Sequence, residues 1–280
     1  MYLLPLGNIK SLTAFNMLLE AKAAGDLDGV HAIIENSSGN TAFALGILAE
    51  LYGVSRVVAM VPWDLAPGKL ELLRLCGVEP RLVRDAGHQG SGIAQAREAG
   101  KQAGWLNLAQ YDNDANPRAC EKWLAPEVWA QTDGKLTVFA AGLGTTGTLV
   151  GASRFFLRTG GKVTLVGAMC APNSAVPGVR NARSLEEIGF PYHEAADAIV
   201  EIETRESFKK SLELCRSGLM AGPSSGFALA GLLKFLAGQD ASALDALRNA
   251  DGEVVAAFIC ADTPLPYLDK YSTHLDPSDF

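Results

Sequence analysis

The chain has 280 residues, of which 48% are hydrophobic and 20% charged, with a formal net charge of -7. That balance describes a folded chain with a sizeable core in one or two domains, and it excludes a disordered polymer. The acidic balance offers no basic face for nucleic acid, no apolar run approaches a membrane span of about 18 residues, and no basic-then-apolar leader opens the chain. A cytoplasmic, membrane-free protein is the expectation.

In chain order, an apolar opening, Met1–Leu6, reads as a buried strand. It runs through Gly7-Asn8-Ile9-Lys10 into a helical pattern, SLTAFNMLLEAKAAG. Thereafter short β-branched runs alternate with longer stretches of helical spacing. HAIIEN, RVVAMVP, PRLVRD, LTVFAAG, KVTLVGAM, AIVEI and VVAAFIC are the strand candidates. NTAFALGILAELYG, APGKLELLRLCG, SGIAQAREAGKQAG, TLVGASRFFLRTG, RESFKKSLELCRSG and GFALAGLLKFLAGQ are the helices between them, several stopped by glycine. Nearly continuous apolar strands alternating with helices predict an α/β fold with largely parallel sheet. The turn-rich stretch QYDNDANPRACEKWLAP interrupts the alternation. It places a domain crossover near residue 115, dividing the chain into a smaller α/β domain, 1–115, and a larger one, 116–280. The five cysteines stand far apart with no C-x-x-C pair, and the four histidines are scattered, so neither a zinc site nor a disulfide framework is predicted.

Ligands of open parallel sheets bind at the carboxyl ends of strands, so the strand-to-helix junctions are where chemistry is expected. Ser37-Ser38-Gly39-Asn40-Thr41 follows HAIIEN. Its hydroxyls and helix-start N–H groups suit a carboxylate, and they equally suit an ordinary helix cap. Gly142-Leu143-Gly144-Thr145-Thr146-Gly147-Thr148 follows LTVFAAG with the spacing G-x-G-x-x-G, but the next strand, KVTLVGAMC, carries no ribose-binding acid. A cup for a single phosphate group remains, beside the alternative of a tight turn. Gly222-Pro223-Ser224-Ser225-Gly226 precedes the apolar helix near the C-terminus. A serine there can donate to a neutral ring nitrogen, or simply cap the helix. A lysine in an apolar junction, Lys10, has its amine pKa lowered by desolvation, which favours the nucleophilic form. A lysine able to form a Schiff base, a phosphate cup and a ring-nitrogen donor together describe pyridoxal 5'-phosphate.

These motifs resemble, in order, those of the fold-type II pyridoxal-phosphate enzymes, in the cysteine synthase / cystathionine β-synthase group. GNIKSL resembles the family's G-S-V-K-D-R, SSGNT its T-S-G-N-T, and QYDNDANP its Q-F-x-N-x-x-N-P. GLGTTGT resembles its G-x-G-T-G-G-T, and GPSSG its G-I-S-S-G. The resemblance implies a two-domain fold like that of the tryptophan synthase β chain. It implies Lys10 as the Schiff-base lysine and proton carrier, Asn40 on the cofactor's phenolic oxygen, and Ser37, Ser38, Thr41 and Gln110 on the substrate carboxylate. Gly144, Thr145, Thr146, Gly147 and Thr148 would cradle the phosphate, with Ser224 at the pyridine nitrogen.

The implied activity is β-replacement on an activated serine (O-acetylserine, O-phosphoserine or serine). It would pass through an aminoacrylate to which sulfide, a thiol or an amine adds, in a homodimer. A serine/threonine dehydratase and a catalytically silent binding partner are the alternatives. Thr41, where dehydratases resemble S-x-G-N-H, and the QYDNDANP segment favour replacement. Nine residues precede Lys10, where the family has a few dozen; Ser11-Leu12 stand for Asp-Arg, and Thr146 for a glycine. The loop NSAVPGVRNARSLEE replaces the family's glycine-rich run. Its Arg180 or Arg183 is expected to grip an anionic group on a substrate, or else to be a surface arginine.

Overall fold

A computed structural model describes residues 7–84 and 91–280. The chain divides into two compact units, Met1–Asn116 and Pro117–Phe280. In the first, helix α1 (Lys10–Ala24) leads to β1 (Ala32–Asn36), α2 (Asn40–Leu48), β2 (Arg56–Pro62), α3 (Pro67–Leu75), β3 (Val78–Val83), α4 (Gly92–Ala99) and β4 (Trp105–Leu106). Helix α5 (Ala115–Ala119) begins at the end of this unit. In the second unit a π-type turn (Cys120–Leu124) passes into α6 (Ala125–Gln131). Strand β5 (Val138–Gly142), α7 (Gly147–Thr159) and β6 (Thr164–Cys170) follow, then α8 (Ala182–Leu185), α9 (Tyr192–Ala195), β7 (Ala198–Ile202) and α10 (Thr204–Arg216). The last elements are α11 (Pro223–Ala237), α12 (Ala241–Ala246), β8 (Ala256–Phe258) and α13 (Leu268–His274).

Each unit holds a four-stranded parallel sheet, in the orders β3-β2-β1-β4 and β7-β6-β5-β8. The two orders are the same topology played twice, which no residue-level repeat announces. In both, the chain winds outward in one direction and then returns to the far side of its first strand. The reversal leaves a crevice at the carboxyl end of that first strand, β1 in one unit and β5 in the other. Both strands are apolar on both faces because helices cover them: Ala32, Ile33, Ile34 and Val138, Phe139, Ala140 are fully buried. Residues 37–41 and 143–148 follow those two strands directly.

The strand and helix expectations hold with end shifts of a few residues. Three differences have physical reasons. The second-unit helix expected to begin at Gly226 begins at Pro223, because proline lacks the N–H that a first-turn residue has no use for. Strand β4 is two residues long and comes from a stretch, AGKQAGWLNL, whose periodicity reads as a helix end; pairing with β1 overrides it. The turn-rich QYDNDANPRACEKWLAP is mostly helical, as α5, the π-type turn and the start of α6, with Asn113 Oδ1 accepting from Ala115 N at 2.9 Å to open it. The opening strand, Met1–Leu6, and the end of the third strand candidate at Asp85 lie outside the described residues. All five cysteines are free thiols. Among the described residues no His/Cys/Asp/Glu group could hold a metal ion, and no helix is long and apolar enough to cross a membrane.

Candidate active site

In the first unit, Lys10 is the first residue of α1 and half-buried, preceded by the buried Asn8 and Ile9 and by Gly7 at φ 57°. The helix buries Ala14, Met17 and Leu18 against α2 and the first sheet, so the lysine is carried on a packed element. From β1 the chain turns through Ser37-Ser38-Gly39 into α2. Ser37 Oγ accepts from Gly39 N at 3.4 Å and Ala42 N at 3.2 Å, so this serine does cap the helix. Asn40 opens α2, and Thr41, one residue further, is buried.

The structure brings Thr41 together with Gln110, 69 residues away: Thr41 Oγ1 donates to Gln110 Oε1 at 2.7 Å. Gln110 Nε2 in turn donates to Asn36 O at 2.9 Å, and Asn116 Nδ2 donates to Gln110 O at 2.7 Å. The SSGNT loop and the first residues of QYDNDAN are thus one hydrogen-bonded cluster at the carboxyl end of β1. Glu35, on the strand's last turnward position, is 2% exposed; its carboxyl accepts from Asn36 N at 3.0 Å and Gln110 N at 3.3 Å. Burial pushes its pKa up to about 7, against the lowering pull of these N–H groups and Asn107, with the Asp112 charge adding to the rise.

In the second unit, Gly142 ends β5 and Gly147 begins the 13-residue α7. Thr146 stands at the helix start with φ 65°, a left-handed conformation that a β-branched residue adopts only at a cost of about 1–2 kcal/mol. Its Oγ1 is buried with no hydrogen-bond partner among the described residues, while Thr145 Oγ1 accepts from Gly147 N at 3.4 Å. Gly144 lies so close to a neighbouring loop that a Cβ there would sit 2.2 Å from Gly178 O. That loop is pinned to the cup from its other side: Arg180 N donates to Leu143 O at 2.8 Å. Thr148 is half-buried on the first turn of α7. A buried hydroxyl without a partner, at a helix N-terminus and beside a glycine approached this closely, is a donor set for a phosphate monoester. The residues fit the phosphate end of pyridoxal 5'-phosphate.

The third loop is also built in this unit. Ser224 is buried in the first turn of α11 and donates to Asp262 Oδ1 at 3.2 Å. Tyr267 Oη donates to Asp262 Oδ2 at 2.7 Å, and a Cβ at Gly222 would fall 2.4 Å from Asp262 Oδ1, so only glycine leaves room for this carboxylate. Ser207 and Ser211 of α10 fix the approach, donating to Pro223 O and Ala221 O, each at 2.7 Å. Arg180 is half-buried and donates to Ser184 O at 3.0 Å, whereas Arg183 is exposed.

The chain matches the family model described as "Pyridoxal-phosphate dependent enzyme" over residues 1–246. It belongs to that family. Cysteine synthase B of Escherichia coli (strain K12) is 33% identical over 258 residues, covering 91% of this chain and 81% of that protein. Cysteine synthase A of the same organism is 32% identical over 249 residues, covering 82% and 76%. Among solved structures, an O-ureido-L-serine synthase superposes with a TM-score of 0.82 at 26% identity, over 98% of this chain and 86% of that one. The cysteine synthase of Entamoeba histolytica superposes at 0.79 and 22% identity, over 97% and 80%, a likeness of fold. The chain is therefore a fold-type II pyridoxal-phosphate enzyme of the cysteine synthase family, and its cofactor is pyridoxal 5'-phosphate.

Two buried carboxyl groups of this pyridoxal-phosphate enzyme escape the sequence reading. Glu35 looks like the polar end of an apolar strand, and Asp262 like a loop residue after the last one. The signal was available in their position: each is an acid at the carboxyl end of a parallel strand, where ligands gather.

Proposed function

We propose that this enzyme catalyses β-replacement on an activated serine, an O-acetylserine, O-phosphoserine or serine, with sulfide, a thiol or an amine as the incoming nucleophile. The observation that carries the reading is the Thr41–Gln110 hydrogen bond at the end of β1. It supports a single carboxylate-binding cluster made of the SSGNT loop and the QYDNDAN segment, the pairing that the resemblance associates with replacement. The printed names of the relatives, cysteine synthase B and O-ureido-L-serine synthase, support the same reaction class.

In this reading the smaller domain, 1–115, carries Lys10 and the carboxylate loop, and the larger, 116–280, carries the phosphate loop and Ser224. Bound pyridoxal 5'-phosphate supplies an electron sink for the pair left on the substrate Cα. Lys10 would hold the cofactor covalently until the substrate amine displaces it, and the freed Nζ would then take the Cα proton and return it once the leaving group has left Cβ and the nucleophile has added there. Ser37, Ser38, Thr41 and Gln110 hold the substrate carboxylate. Thr41 uses its O–H on Gln110, so it acts by setting the amide, which keeps a second N–H that would serve the substrate carboxylate. Asn40 takes the phenolic oxygen.

Gly144, Thr145, Thr146, Gly147 and Thr148 hold the phosphate through backbone N–H groups and the Thr146 hydroxyl. Ser224 faces the ring nitrogen, and its O–H, given to Asp262 in this structure, would turn to a neutral ring nitrogen when the cofactor is bound. Arg180 lies in the segment pinned to Leu143 and reads an anionic group on donor or nucleophile. A cytoplasmic homodimer completes the proposal.

Three measurements test it. Borohydride reduction, digestion and mass analysis should place the pyridoxyl group on the peptide containing Lys10; its appearance on another lysine refutes the assignment. Incubation with O-acetylserine and sulfide should yield cysteine; pyruvate and ammonia alone would make the enzyme a dehydratase. Sedimentation of the purified protein should give twice the mass of one chain.

A further inference from the structure

The clearest polar feature that the proposed chemistry leaves unused is the buried carboxyl of Glu35. We propose that Glu35 is a positioning residue for the substrate carboxylate, tying the start of the SSGNT loop to Gln110, and that its neutral form is the one that supports substrate binding. The inference rests on the reading that Thr41 and Gln110 belong to the carboxylate site.

The geometry is specific. One carboxyl oxygen accepts from Asn36 N and the other from Gln110 N, so a single side chain sets the two backbone segments whose side chains meet at the Thr41–Gln110 bond. Gln110 and Asn36 are joined a second time by the Gln110 Nε2 to Asn36 O bond, and Tyr111 Oη donates to the same Asn36 O at 3.1 Å. No cation pairs with the group among its described neighbours; α1, which packs with Ile33 on the face of β1 that Glu35 shares, carries Lys10, Glu20 and Lys22 as its charged residues. In β2 it stands in register with Ala59, α2 has no charged residue, and β4 contributes only Trp105 and Leu106. On α4, Arg97 pairs with Asp112 at 2.7 Å and Glu98 with Lys101 at 2.7 Å. In the 107–112 segment the charged group is Asp112, which repels, and Asn107 is a neutral donor.

A buried carboxylate here would place a second negative charge behind a loop that must receive one. Protonation removes that charge and leaves the carbonyl oxygen to accept one of the two N–H bonds. Burial pushes the group up to about 7, so the change falls in the working range of pH. A substrate carboxylate is therefore received best below neutrality, through binding and not through the chemical step.

The test uses the holoenzyme with O-acetyl-L-serine and sulfide. Glu35→Gln stays neutral and keeps one of the two acceptors; Glu35→Ala removes both. In the wild type, KM for O-acetyl-L-serine rises severalfold as pH passes upward through neutrality, with kcat changed less than twofold by the same group. Glu35→Gln removes that rise, and Glu35→Ala raises KM about tenfold or more at every pH. Acetate, a probe of the carboxylate subsite alone, shows the same pattern in its competitive inhibition constant.

A wild-type pH dependence retained in Glu35→Gln overturns the proposal, as does a Glu35→Ala variant that loses kcat and keeps KM. If Glu35→Ala does not fold, the Glu35→Gln profile decides alone. Gln110→Ala separates this failure from failure of the underlying reading. If it leaves KM for O-acetyl-L-serine and the acetate constant unchanged, the carboxylate site lies elsewhere; if it raises both while the Glu35 variants do not, only the role of Glu35 falls.

Discussion

Glu35 also makes a prediction about stability that needs no substrate. Its pKa rises from 4.5 to about 7 because the folded chain buries it; in the unfolded chain it returns to 4.5. Between those values the folded protein keeps a proton that the unfolded one releases. The contribution of this group to stability is therefore complete below the unfolded value and falls as pH rises through the folded one. The full loss is about 3–4 kcal/mol, from a shift of 7 - 4.5 at about 1.4 kcal/mol per unit.

Most of that loss falls between about pH 5 and about pH 8. Glu35→Gln gives up a carboxyl acceptor on Gln110 N and starts about 1 kcal/mol lower at acid pH. It lacks the proton, however, so its stability curve runs flatter and crosses above the wild type between about pH 5 and pH 6. Urea unfolding of both proteins across this range, followed by tryptophan fluorescence, measures the difference; the other titrating groups cancel in the comparison. Parallel curves would refute the burial argument, and with it the claim that Glu35 is neutral at acid pH.

Four other outcomes are expected. Lys10→Ala should abolish the reducible cofactor adduct while leaving secondary structure by circular dichroism intact. Thr146→Gly should relieve the left-handed strain and stabilise the cofactor-free protein by about 1 kcal/mol, yet weaken cofactor binding by removing the buried hydroxyl; a variant that binds as tightly as the wild type would remove Thr146 from the phosphate cup. Gly144→Ala forces a methyl within 2.2 Å of Gly178 O and should cost both cofactor affinity and thermal stability, measured by equilibrium dialysis and calorimetry. Cys260 is held at about 11 by burial, helped by the Asp262 charge, so it should alkylate slowly at neutral pH and faster in Asp262→Asn; equal rates would mean that the carboxylate exerts no field on the thiol.

The amino-acid sequence by itself determined the alternation of strand and helix, because apolar periodicity and glycine stops are local signals. RVVAMVP and AIVEI become β2 and β7 residue for residue. The five motifs also point to the family, since each is a contiguous run whose order survives any distance between its members. Tertiary structure alone decided the rest. Strand order is a matter of which edges pair, so the doubled β3-β2-β1-β4 topology, and the two crevices it opens, could not be read from periodicity.

The two-residue strand β4 exists only because β1 offers it a partner. The carboxyls missed in the sequence show the same limit. Asp262 gains its meaning from Ser224 and Tyr267, and Glu35 from Gln110, 75 residues away. An acid's chemistry is set by what surrounds it when water is excluded, and that surrounding is assembled by residues distant along the chain.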